Sequence, residues 1–327
     1  MKGVLAIARR TGVLVVLVAA GFLPSLLGSG YMLDLVDFLC INIVLTMGLD
    51  LLFGFGGMVS FGYAGFWAMG AYGTVILSRL GLPFVLAVPA TLAVTGAFAW
   101  LFGYPLLKLK DHYLGMATLA FGLLVYTVLM QWIALTGGPD GIMMADPAVF
   151  GLTLTRSGQH VVVLAGLALA GFVCTNLTRS KLGLSLRAIK GEETGAEFCG
   201  IDVTATRLVT FALSSVLAAL AGVLYASFRP YITPETFGLN ASILVVTMVV
   251  VGGMGSIRGN IIGAALFTAI PELIHGFQRY HLIIYGALLL AALLFFPTGL
   301  AGVARGLRPW QVAARPVKGE VPAANVG

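Results

Sequence analysis

Apolar residues run along this chain in long blocks, separated by short clusters of charge, glycine and proline, and strict alternation of apolar and polar positions is absent. A bilayer core takes roughly 20 mostly apolar residues per helical crossing, and backbone within it must satisfy its own hydrogen bonds. The pattern therefore predicts an all-α integral membrane protein and excludes a barrel. Ten spans follow: Gly12–Leu27, Met32–Phe53, Met58–Ser78, Pro83–Leu107, Leu114–Leu135, His160–Leu177, Leu208–Phe228, Ala241–Val251, Gly259–Gly276 and Leu282–Leu300. Two are irregular. The stretch after Phe53 is so rich in glycine that a broken or re-entrant helix is the alternative to a regular span. The run ending near Gly252 is short unless it begins before Asn240.

Composition agrees with the pattern. Of 327 residues, 59% are hydrophobic and only 10% charged, with a mean hydropathy of +1.00, whereas a soluble domain carries about 25% charged residues. Positive charge then sets orientation, because short loops rich in Lys and Arg stay cytoplasmic. With both termini inside and ten crossings, fifteen of the nineteen Lys and Arg fall on the cytoplasmic side, leaving Arg79, Arg156, Arg229 and Arg279 outside. That bias accounts for the net charge of +6 without nucleic acid. Residues 1–305 are expected to form one transmembrane domain, with a cytoplasmic loop over 178–207. Residues 306–327, holding Pro309, Pro316 and Pro322, read as a short disordered cytoplasmic tail. The basic start from Lys2 to Arg10 leaves two readings, an uncleaved first helix or a signal peptide cut near Gly28 to Gly30. Cys40, Cys174 and Cys199 are odd in number and imply no disulfide framework.

Much chemistry is missing. The glycine-rich run from Gly252 to Gly259 lacks the lysine and hydroxyl of a phosphate-binding loop, so the chain is not expected to hydrolyse ATP. His112, His160, His275 and His281 show no metal-ligand spacing and sit at predicted helix ends, where anchoring at the interface is expected; neither metal nor cofactor is implied. Ser60, Ser214 and Ser215 lie deep, but no histidine is expected beside them to make a hydrolase.

Packing and a pathway remain. Gly255, Gly259 and Gly263 repeat every four residues, as do Ala218, Gly222 and Ala226, a spacing that lets helix backbones approach closely in lipid. The glycines from Gly54 to Gly73 serve either packing or a pathway, since non-helical backbone at membrane depth is tolerated only when buried or lining a water-filled cavity. Asp50 and Glu272 are ionisable groups within spans, facing either an aqueous cavity or a hydrated interface. Asp34 and Asp37 are expected near the outer surface, without a special role.

The loop from Thr178 to Thr206 concentrates Arg179, Lys181, Arg187 and Lys190, with Arg207 just beyond it. Ile189, Glu193, Ala196 and Gly200 fall at helical steps, which predicts a short amphipathic helix ending at Gly200 and suited to docking a soluble partner.

Several motifs in order, Met47 to Gly54, Gly57 to Phe66, Thr136 to Gly141, Arg187 to Ile201, Val251 to Ser256 and Phe296 to Gly302, make the chain resemble the permease subunits of branched-chain amino acid ABC transporters, of the LivM and LivH type. Length and basic tail look more like LivM. The resemblance implies a multi-pass protein of the bacterial inner membrane that pairs with a LivH-type permease. It also implies docking of two cytoplasmic ATPase subunits and delivery of substrate by a periplasmic binding protein. It assigns ATPase coupling to Arg187, Glu193, Ala196, Glu197 and Gly200. Asp50, Gly57, Ser60, Gly62 and Tyr63 become the translocation path, and Gly255, Gly259 and Gly263 the packing seam. Three positions depart from the family: Asp50 replaces its usual asparagine, Met58 a glutamine or leucine, and Tyr63 a histidine, glutamine or asparagine. Transport by alternating access is implied, with urea, short amides or aromatic acids as other cargoes of related permeases. A secondary carrier would need ion-coupling charges at the midplane, and a passive channel a ring of filter groups.

Overall fold

The computed structural model describes residues 30–273 apart from 110, 145–147 and 150–151, with Gly286, Leu290 and Leu300 beyond them. The first and tenth expected spans and the tail lie outside the described residues. Within them the chain is mostly helical. Helix α1 (Gly30–Asp50) runs into a π turn over Leu51–Phe55, after which Gly56 to Gly62 are non-helical. Then come α2 (Tyr63–Arg79), α3 (Phe84–Leu106), α4 (Asp111–Gln131), the one-turn α5 (Ile133–Thr136), α6 (Arg156–Leu177), α7 (Lys181–Gly191), α8 (Glu193–Phe198), α9 (Val203–Phe228), α10 (Leu239–Gly252) and α11 (Ile257–Leu273). Among the described residues, five helices, α1 with its π turn, α3, α4, α6 and α9, are long and apolar enough to cross a membrane.

Local chemistry explains the boundaries. Thr155 and Asp202 cap α6 and α9 by accepting the amides of Gly158 and Ala205, and each helix begins four or five residues before its apolar block. The fifth expected span stops at Gln131, because Trp132 leaves helical geometry before α5 resumes. The short eighth span starts at Leu239, just after Gly238, and has 14 residues.

The bundle has two distinguishable ends. At one, β1 (Ile142–Met143) pairs antiparallel with β4 (Tyr231–Ile232), and Arg79 donates to the Met143 carbonyl; β2 (Ala148–Val149) and β3 (Leu152–Thr153) form a second small ribbon. At the other end sit α7 and α8. Helices α1 and α9 form the centre, with 78% of their apolar windows buried against 28% for α3 and α4. Helices α2 and α9 cross with backbones touching. A Cβ on Gly70 would stand 2.5 Å from the Ala219 Cα, and one on Gly222 would stand 2.5 Å from the Ala71 nitrogen. Side chains of ordinary size would hold these helices apart.

Candidate functional site

Helices α7 and α8 make the clearest built feature outside the bundle. The sequence predicts one short helix through Ile189 and Glu193; the chain instead breaks at Glu192, whose extended backbone (φ −157°, ψ 115°) separates two helices. Helix α8 ends as expected of a glycine stop. Gly200 has φ +80°, its amide bonds Glu197, and the Ile201 amide reaches back to the Ala196 carbonyl at 3.1 Å. Those two bonds satisfy the last carbonyls of the helix. Ala196 faces inward with Ile189, Ile201 and Val203 in a small apolar cluster, so its side chain is a packing group of α8. Glu193 receives both terminal nitrogens of Arg207 at 2.9 Å, a fork-like pair that fixes α8 to the first turns of α9. Glu197 is exposed. The sequence reading passed over Phe198, which is 89% exposed at the tip of α8.

Two basic side chains tie α7 to the end of α1. Arg187 donates to the Thr178 carbonyl at 2.6 Å and lies over the Phe55 ring. Lys190 donates to the Gly54 carbonyl at 2.5 Å, while its stem lies beside Gly57, whose φ is +67°. Asp50 is 1% exposed, which overturns the reading that a hydrated interface surrounds it. Its carboxylate accepts the Gly255 amide at 2.7 Å and the Asn260 side-chain amide at 3.0 Å.

The other residues expected along a path divide by what they touch. Tyr63 donates to the Ser214 carbonyl at 3.0 Å, and the Ser214 hydroxyl donates in turn to the Gly48 carbonyl at 2.7 Å, so the phenol links α2 to α9 and the serine links α9 to α1. A Cβ on Gly62 would collide with the Thr118 carbonyl of α4, and one on Gly122 would stand 2.9 Å from the Gly62 Cα. Ser60, 2% exposed, carries a hydroxyl with no partner among the described residues. A shallow cleft nearby is lined by Phe61, Ala64, Gly122, Gly238, Leu239 and Ser242. The Ser242 hydroxyl accepts the Ala64 amide there, satisfying one donor of the uncapped start of α2.

The expected seam of Gly255, Gly259 and Gly263 is corrected at its first member. Gly255, at φ +73°, belongs to the turn before α11 and meets Gly54. Gly259 and Gly263 do lie on α11, against Gly252 and Met248 of α10. Glu272 is in α11. Of the expected site residues, α1, α7 and the α10–α11 turn thus bring together Asp50, Gly57, Arg187 and Gly255. Ser60, Gly62 and Tyr63 lie on the non-helical stretch and at the start of α2, and Glu193, Ala196, Glu197 and Gly200 stand apart on α8 and its glycine stop.

A second polar cluster was not foreseen. Asp37, fully buried, bonds His160 Nδ1 at 2.6 Å and receives Arg156 at 2.9 Å; Arg156 also bonds Asp34. His160 is therefore a buried partner of a carboxylate on the facing helix. The signal was the pairing of acids opening α1 with a basic pair opening α6, but their separation of more than a hundred residues hides it.

Residues 31–293 match a family described as the permease component of branched-chain amino acid transport systems. The chain is 30% identical to the high-affinity branched-chain amino acid transport system permease protein LivM of Salmonella typhimurium, over 91% of this chain and 76% of that protein. It is also 30% identical to LivM of Escherichia coli, over 88% and 74% respectively. The permease protein LivH of Salmonella typhimurium matches at 25% identity over 79% of this chain and 90% of its own length. No solved structure matches the chain.

Proposed function

We propose, from the premise that the chain belongs to the family of branched-chain amino acid transport permeases, that it is the membrane-spanning LivM-type subunit of an ATP-driven importer. Its cargo on this reading is a branched-chain amino acid, the substrate class that the relatives' names carry. It is a transport subunit and not an enzyme. The single observation that carries the mechanism is the α7–α8 unit. Two short helices outside the bundle are fixed to α9 by the Glu193–Arg207 pair and to the π turn at the end of α1 by Lys190, and leave the Phe198 ring exposed. An exposed aromatic at the tip of a short helix suits the anchor of a docking surface.

On this reading α7 and α8 face the cytoplasm and the β1–β4 end faces outward in a bacterial inner membrane. The domain spans 1–305 with ten crossings and both termini inside, followed by the tail over 306–327. A LivH-type permease completes the pair, which relatives of both types support. Two ATPase subunits dock on the coupling helices, and a periplasmic binding protein delivers the substrate. Closure of the ATPases pushes α8, and Glu193 passes the motion to α9, whose backbone contact with α2 reaches the bundle centre. The packed helices then rearrange between two states, one open to each side. The path runs beside the non-helical stretch from Gly56 to Gly62, where the Ser60 hydroxyl is unpaired among the described residues.

Purification of the tagged full chain from its native membrane is expected to bring down a second permease and an ATPase. Reconstituted with its binding protein, that complex should take up leucine and valine only with ATP. Uptake of urea or benzoate in place of leucine overturns the substrate; uptake without ATP overturns the importer.

A further inference from the structure

The π turn at the end of α1 is held from both sides by groups that the path and docking readings leave without a common purpose. From the bundle side, Asp50 takes the Gly255 amide and the Asn260 side chain, joining α1 to the α10–α11 turn and to α11. The turn presses so closely that a Cβ on Gly54 would overlap both the Asp50 carboxylate and the Gly255 nitrogen. From the other side, Lys190 in the last turn of α7 donates to the Gly54 carbonyl, and Arg187 lies over Phe55. Lys190 bonds a main-chain carbonyl although the Asp50 carboxylate is one turn away. The residue between these grips, Gly54, belongs to a five-residue π turn, a rare geometry found frequently at functional sites.

We infer that Lys190 and Asp50 are positioning residues that transmit movement of the α7–α8 unit, through the π turn at Gly54, to Gly255 and the α10–α11 pair. Movement of α7 pulls the Gly54 carbonyl; the turn shifts; and Asp50, four residues back on the same turn, shifts the amide of Gly255 with it. Glycine at 54 is required by contact, because a Cβ there would overlap the Asp50 carboxylate and the Gly255 nitrogen, and glycine at 255 by its φ of +73°. Glu193 and Arg207 drive α9 by a separate route. The inference rests on the transport reading for the source of the movement, and its contacts stand independently of it.

Amide hydrogen exchange on the full chain in nanodiscs tests the link itself. Lys190→Met is expected to raise exchange at Gly56 and Met58, and also at Gly255 beyond Asp50, by about ten-fold, as suits loss of one charge-assisted hydrogen bond. Lys190→Arg should restore protection. In the reconstituted transporter Lys190→Met should keep its ATPase bound and hydrolysing while leucine uptake per ATP falls by about ten-fold. Asp50→Asn should lower the same ratio, and the double variant should do no further harm, since both lie on one route. Unchanged exchange at Gly255 in Lys190→Met overturns the inference whether or not the chain moves leucine, and so does an unchanged uptake ratio or a multiplied loss in the double variant. If Gly255 responds but the parent complex takes up no branched-chain amino acid, the transport reading fails and the link stands.

Discussion

Replacing Gly259 by alanine adds one methyl group where α11 meets α10 and should loosen that pair measurably. The new Cβ would lie 2.6 Å from the Gly252 carbonyl oxygen, 2.7 Å from that of Gly253 and 2.9 Å from the Gly252 carbonyl carbon. Ordinary contact begins at 3.4 Å, so relief requires the backbones to part by about 0.8 Å. All three neighbours are main chain, and no rotamer can absorb the change. Overpacking of this kind costs about 1–3 kcal/mol, and the rigid neighbours place this case near the middle, at about 2 kcal/mol. At 2–4 °C per kcal/mol the melting point should fall by about 4–8 °C. Tryptophan fluorescence melts in detergent would read it, with Gly191→Ala as the control. Nothing stands within 4 Å of a Cβ at Gly191, so that variant should match the parent or gain slightly from helix propensity. A parent-like melt for Gly259→Ala, or an equal loss in the control, would refute the close-approach argument.

Three further outcomes are expected. Asp37→Ala removes a fully buried carboxylate that bonds His160 and Arg156 and should cost about 3 kcal/mol in thermal melts, while Asp34→Ala, at a half-exposed acid, should cost under about 1 kcal/mol; equal losses would contradict the burial argument. Phe198→Ala should leave the melt unchanged yet weaken copurification of the ATPase by about thirty-fold, the scale of a 2 kcal/mol anchor; full retention of the partner removes Phe198 from the docking surface. Gly200→Pro fixes φ near −65° where the chain needs +80° and deletes the amide that bonds Glu197, so uptake should be lost with membrane insertion intact. Glu193→Lys, which opposes Arg207 with a like charge, should do the same, and normal uptake in both variants would remove the coupling role of α8.

How far the sequence reached is clearest in α1 and α3. Both are apolar over a full crossing, and nothing in that apolarity distinguishes the helix that is 78% buried from the one that is 28% buried. A span hydrophobic on every side has no polar stripe to mark its outer face. Local features were legible because their causes are local: blocks of crossing length, the glycine stop at Gly200, and the loss of helix among the glycines after Phe55. Partner choice was not local. Asp50 meets Gly255 and Asn260, Asn42 meets Thr268, Asp37 meets His160, and each pair joins positions more than a hundred residues apart.

The sequence alone settled that the chain crosses a membrane as helices, that it carries no nucleotide-hydrolysing loop, and that a charged helical segment stands between two spans, because hydropathy, motif absence and charge are sums over neighbours. Tertiary structure decided that this segment breaks at Glu192, that Gly255 serves a turn and not a helix face, and that Asp50 is buried between α1 and α11. Those facts depend on which backbones touch, and close contact between glycines is set by the fit of whole helices against one another.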